Sequence, residues 1–239
     1  MPRRALTIGW DPRIVRDLCQ RIESYSSVTF DHLDVASTEG SRAAESTGDA
    51  GRWYFLREDP AFVHPRANRA LLATLEFDDG LSVRNMILSD RVVRELPEED
   101  ALAFATSLAV AYENVFRKIA PDLLVGAFDC LHASIAWAVA RKLGIPWYAL
   151  SFSALPTGLT AFCTRLTPGS AIKLDLESHE LRLSRAAATV DDFVARRTRV
   201  PAYVSANTVR QIIERLPTHL RELSVRLRRA MSGRFDRYT

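Results

Sequence analysis

Pro121-Asp-Leu-Leu-Val-Gly-Ala-Phe-Asp-Cys-Leu-His-Ala-Ser-Ile-Ala-Trp-Ala-Val-Ala-Arg-Lys-Leu-Gly-Ile-Pro-Trp-Tyr-Ala-Leu-Ser-Phe-Ser153 is the stretch that decides the fold. Asp122 to Phe128 is an almost uninterrupted apolar run of strand length, the pattern of a central strand covered on both faces. Cys130 to Leu143 is rich in small residues and closes with Gly144, with Pro146 just beyond, which predicts a helix and its C-terminal stop. Ile145 to Phe152 reads as the next strand, so Asp122 to Phe152 forms a complete βαβ unit.

The flanking sequence extends that unit into a sheet. Pro97-Glu-Glu-Asp100 places acids at the start of a long helix, where they complement its dipole; Leu102, Phe104, Leu108, Tyr112, Val115 and Ile119 give it an apolar face, and Pro121 ends it. Ala5 to Trp10 is a short apolar strand feeding a helix that starts at Asp11-Pro12 and carries Ile14, Val15, Leu18 and Ile22. Val28 to Val35 alternates as a strand does. Arg52 to Arg57 predicts a third strand, and Arg66 to Phe77 a helix with Leu71, Leu72 and Leu75 on one side. Between them, Ala36 to Gly51 has almost no large apolar residue and reads as a mobile surface loop.

Beyond Ser153 the pattern loosens, then turns helical from Leu181 and strongly basic after Arg196. Asn207 can cap a helix carrying Val209, Ile212, Ile213 and Leu216, with Pro217 kinking it or starting another. The expected class is therefore α/β: a Rossmann-like parallel sheet flanked by helices over residues 1–180, with a basic C-terminal helical appendage, or a linker to a missing second domain, over 181–239.

At 239 residues and 47% hydrophobic content the chain can fill a real core. Its 32 basic and 29 acidic residues nearly cancel, so there is no global case for nucleic acid. Cys19, Cys130 and Cys163 are distant and odd in number, which fits reduced thiols in a cytoplasmic protein. The apolar N-terminal stretch is too short for a signal peptide or a membrane span. Several chemistries lack their motifs. Thr7-Ile-Gly-Trp-Asp11 stands where a dinucleotide fold needs G-x-G-x-x-G, and there is no Walker A loop, nucleophile elbow, D-x-D pair or zinc spacing. No cofactor and no metal are expected.

The segment from Pro121 to Ser153 resembles the N-terminal half of GT-B glycosyltransferases of the capsule and surface-polysaccharide type, and of the related sugar-nucleotide 2-epimerases. The shared pattern is a P-D strand, an acidic or polar turn, a small-residue helix, G-I-P and a strand ending near polar residues. It covers about a seventh of the chain. The resemblance implies two Rossmann-like domains, with the acceptor mostly on the first and the nucleotide sugar mostly on the second. Only the first is visible here, so the chain reads as the acceptor-side domain of a glycosyltransferase, inactive without a donor-binding second domain or subunit. A non-catalytic Rossmann-like module that binds a glycan or protein partner is the alternative.

Ligands of open parallel sheets sit at the carboxyl ends of strands, which selects the turns after Trp10, Phe128 and Phe152. Asp129 and His132 share one turn, and either can take the proton from an attacking acceptor hydroxyl; Asp129 can equally cap the following helix. The resemblance gives Asp11 the region of a catalytic base, although Pro12 makes it as natural a cap. Trp10 offers an aromatic face to a sugar or to the core, and Ser134 and Ser153 offer hydroxyls. The arginine-rich tail (Arg221, Arg226, Arg228, Arg229, Arg234, Arg237) suits an anionic membrane surface beside a lipid-linked acceptor, or a solvated helix face. No aromatics are interleaved there for RNA to stack on.

Overall fold

The computed structural model describes residues 3–9, 12–35, 53–77, 81–126, 130–152, 160–166, 170–172 and 179–195. Apolar runs become strands where both faces are covered. Arg3–Ile8 (β1), Val28–Asp34 (β2), Trp53–Phe55 (β3), Leu123–Gly126 (β4), Trp147–Phe152 (β5) and Thr160–Cys163 (β6) form one sheet in the order β3-β2-β1-β4-β5-β6. Strands β1 to β5 pair in parallel. The helices are Pro12–Tyr25 (α1), Arg69–Ala73 (α2), Val83–Ser89 (α3), Glu98–Ile119 (α4), Leu131–Lys142 (α5) and His179–Ala195 (α6). The fold is thus α/β and Rossmann-like, a largely parallel sheet flanked by helices.

Two compact units divide the chain, Met1–Ser151 with Ala161–Ile172, and Phe152–Thr160 with Lys173–Thr239. The first holds α1 to α5 and nearly all of the sheet; the second holds α6, which exposes Leu183 and Val190. No helix among the described residues is long and apolar enough to cross a membrane. The stretch expected to be a mobile loop, residues 36–51, and the basic segment from Arg196 onward lie outside the described residues.

Several element bounds differ from the expected ones, and β1 begins earlier, at Arg3 rather than Ala5. β1 ends at Ile8 because Gly9 turns away with φ 71°, and the third strand ends at Phe55 rather than Arg57, before two 3-10 turns, Leu56–Glu58 and Pro60–Phe62. The helix expected over 66–77 shrinks to Arg69–Ala73, started by the Asn68 side chain, which accepts the Leu71 N–H. Helix α3 and strand β6 were not anticipated. Ser82 caps α3 by accepting the Asn85 N–H at 3.2 Å, a signal that the sequence does carry.

The strand order reverses between β1 and β4, the kind of switch point at which open parallel sheets take their ligands. Two sets of contacts fix the sheet on either side of β4. At its amino end, Arg4 ion-pairs with Asp31 of β2, donates to the Ile119 carbonyl of α4 at 2.7 Å and reaches the Tyr54 hydroxyl of β3 at 3.2 Å. Asp122 accepts the Arg4 N–H at 2.7 Å while its own N–H goes to the Arg4 carbonyl at 2.8 Å. The acid of the P-D pattern is therefore a sheet fastener.

At the other end, the Trp147 indole covers Gly126 so closely that a Cβ there would lie 2.1 Å from the ring. Gly126 is required by packing, since any side chain would collide with a buried tryptophan. Gly126→Ala should therefore destabilise the domain by about 1–3 kcal/mol through overpacking. A lower urea midpoint with an unchanged m-value is the expected result, and an unchanged midpoint would show that the tryptophan has room to move.

Candidate functional site

The crossover helix α4 builds the site. Its first turn carries Glu98, Glu99 and Asp100 and its last turn Arg117 and Lys118, matching the dipole at both ends. It stops at Ala120, which takes the left-handed conformation at φ 49° ahead of Pro121. Its inward stripe of Phe104, Leu108, Tyr112, Phe116 and Ile119 is buried.

Three segments meet this helix near the sheet's carboxyl edge. The first follows β3 and is pinned to α4 twice: Ser107 donates to the Ala61 carbonyl at 2.7 Å, and Asn114 donates to Asp59 at 3.0 Å. Pinning places the Arg57 guanidinium over the rings of Phe62 and Phe104, 4.9 and 5.2 Å from their centroids. The second is the turn after α3, where Asp90 accepts the N–H groups of Val92 and Val93, both at 3.0 Å. The third is the start of α5. Cys130 occupies the capping position without a side-chain cap bond, and Asp90 supplies the missing acceptor from another segment by taking the Leu131 N–H at 3.1 Å.

His132 sits one residue further, half-buried, its ring edge-on to Phe104 with centroids 5.8 Å apart. Its Nδ1 lies 3.5 Å from the hydroxyl of the fully buried Tyr112. Burial, reinforced by the Arg57 charge and opposed by Asp90, pulls the His132 pKa from 6.5 down to about 4. Burial likewise raises the Tyr112 phenol well above its ordinary range, with Cys130 acting in the same sense and Arg57 against it. Burial works against the Asp90 charge, but the N–H groups of Val93, Leu131 and Val92, and then His132, outweigh it and hold the carboxyl below its usual value. At neutral pH the site thus holds a neutral imidazole and a neutral phenol between one fixed cation and one fixed anion.

Of the residues singled out in the sequence, the structure describes two. His132 is in the cluster above, and Ser134 is buried within the first turns of α5. Asp129, Asp11, Trp10 and Ser153 lie outside the described residues. Arg57, Asp90 and Tyr112 were missed as site residues. Tyr112 was read only as part of the apolar face, and the Asp90 contact spans 41 positions, which no local pattern reveals. No group of three or more His, Cys, Asp or Glu among the described residues could hold a metal ion.

No protein-family model and no curated protein sequence matches this chain. Solved structures of UDP-GlcNAc 2-epimerases are similar to it. The Neisseria meningitidis enzyme, bound to UDP-GlcNAc, is 12% identical with a TM-score of 0.35, over 62% of this chain and 32% of that one. The Rickettsia bellii enzyme is 12% identical with a TM-score of 0.32 (62% and 31%), and that of Methanocaldococcus jannaschii is 12% identical with a TM-score of 0.31 (63% and 31%). This chain spans about a third of the length of each.

The depressed His132 pKa has a sign that can be tested. Between about pH 6.5 and 4 the unfolded chain binds a proton at this residue that the native state refuses, so stability falls as pH falls through that window. The contribution of His132 is at most about 3 kcal/mol between pH 7 and 4. Urea midpoints of wild type and His132→Gln across that range should diverge, the variant losing less stability on acidification; parallel curves would place His132 in a solvated setting.

Proposed function

We propose that this chain is the acceptor-side α/β domain of a GT-B-like enzyme acting on sugar nucleotides, a glycosyltransferase of surface-polysaccharide or glycoconjugate assembly. The observation that carries the reading is the cluster at the start of α5. A neutral His132 beside the Arg57 cation stands in the first turn of α5, the helix that follows β4, and β4 borders the reversal of strand order where Rossmann-like sheets take their ligands. The resemblance of Pro121 to Ser153 supplies the reaction class. Acid–base or acceptor contact is assigned to His132, Asp129 and Asp11, and further sugar contacts to Trp10, Ser134 and Ser153.

The acceptor is a glycan or a lipid-linked glycan, and the nucleotide sugar is brought by a second domain or subunit. The arginines from Arg221 to Arg237 suit an anionic membrane surface next to such an acceptor. In this arrangement the domain needs no metal or redox cofactor of its own, because transfer from a nucleotide sugar requires only placement of the hydroxyl and removal of its proton.

Calorimetric titration of the chain with oligosaccharide acceptors and with nucleotide sugars, UDP-GlcNAc among them, tests the reading. Acceptor binding without nucleotide binding is expected, and His132→Ala should weaken it about five- to tenfold, the worth of one hydrogen bond. Tight binding of a nucleotide sugar alone would place the donor site in this domain and overturn the assignment.

A further inference from the structure

The packing around His132 leaves one place for its proton. Tyr112 is fully buried on α4, and among the described residues its hydroxyl has a single hydrogen-bonding partner, Nδ1 of His132. The phenol keeps its proton at neutral pH, since burial, with Cys130 acting in the same sense, outweighs the Arg57 charge that favours the anion. If Nδ1 carried the imidazole hydrogen, the phenol oxygen would accept it and the phenol's own O–H would be left without an acceptor among the described residues, at a cost of about 1–3 kcal/mol. With Nδ1 bare, the phenol donates to it and both groups are satisfied. A neutral imidazole with a bare Nδ1 carries its hydrogen on Nε2. No hydrogen bond to Nε2 is present among the described residues.

We infer that His132 works through Nε2–H as a hydrogen-bond donor to a ligand oxygen, and that Tyr112 is the positioning residue that selects this tautomer. The inference rests on the proposed acceptor site and alters the role expected there. In this tautomer the only imidazole lone pair faces Tyr112, so His132 does not take the proton of an attacking hydroxyl. It holds an oxygen instead, as a neutral donor whose strength comes from the low dielectric around the ring. The oxygen is either anionic, as in a phosphate, which the nearby Arg57 charge favours, or the neutral oxygen of a sugar.

The tautomer can be read in the full chain before any acceptor is known. Long-range ¹⁵N–¹H spectra at pH 7 report which ring nitrogen is protonated, and the His132 signals are identified among the five histidines by their loss in His132→Gln. A proton on Nε2 and a bare Nδ1 are expected. Tyr112→Phe should lose that bias and spread the proton over both nitrogens, its fold checked by thermal melting; if it does not fold, the wild-type spectrum alone decides. A proton on Nδ1, or an unchanged tautomer in a folded Tyr112→Phe, overturns the inference. Titration with inorganic phosphate and, separately, with methyl glucoside distinguishes the oxygen: the ligand that shifts the His132 Nε2 resonance names its source, and a shift with neither overturns the donor role. Because the tautomer is measured without an acceptor, it can fail while the acceptor-side reading stands, and the reverse.

Discussion

The site depends on the burial of one face of α4. Phe104, Leu108, Tyr112, Phe116 and Ile119 are each no more than 4% exposed, and every such side chain contributes about 1.5–3 kcal/mol when withdrawn from water. Burial of the stripe fixes the helix against its neighbours, and Arg4 fastens its last turn to the amino end of the sheet. Tyr112 is carried into the core as part of that stripe, so its hydroxyl must find a partner there, and His132 is the partner it finds. Phe104 from the same face meets both the Arg57 guanidinium and the His132 ring. The chemistry near α5 therefore inherits its geometry from hydrophobic packing rather than from a dedicated binding loop.

Charge is arranged around that geometry with little left to chance. Asp90 spends its carboxylate on three backbone N–H groups, which stitches the turn after α3 to the first turn of α5. Its negative charge sits at a helix N-terminus, where it is stabilised. Arg57 faces aromatic rings, so its cation is partly shielded from water while still acting on His132. An imidazole in such surroundings resists protonation across the physiological range and stays available as a neutral hydrogen-bonding group.

Much of the sheet was legible because its signals are local. The βαβ unit from Asp122 to Phe152, the opening β-α-β and the long helix before Pro121 follow from apolar periodicity and from glycine and proline punctuation, and they appear where expected. Shorter elements were harder. Five residues of α2 and three of β3 carry too little period to set their ends, and β6 emerged from a stretch without clear alternation. The site was legible only in part. His132 announced itself by standing just after a strand, whereas Arg57, Asp90 and Tyr112 belong to it through contacts across 20 or more positions. The P-D acid, the most motif-like residue of the resemblance, turned out to hold β1 to β4.

The central claim is that ligand binds at the edge built by Arg57, Asp90 and His132. Backbone amide spectra of the full chain, recorded while an oligosaccharide acceptor is added, test it most directly. The account predicts shifts concentrated in residues 56–59, 90–93 and 130–134, with saturation at a common affinity. Shifts confined to other parts of the chain would contradict it and move the ligand away from the start of α5.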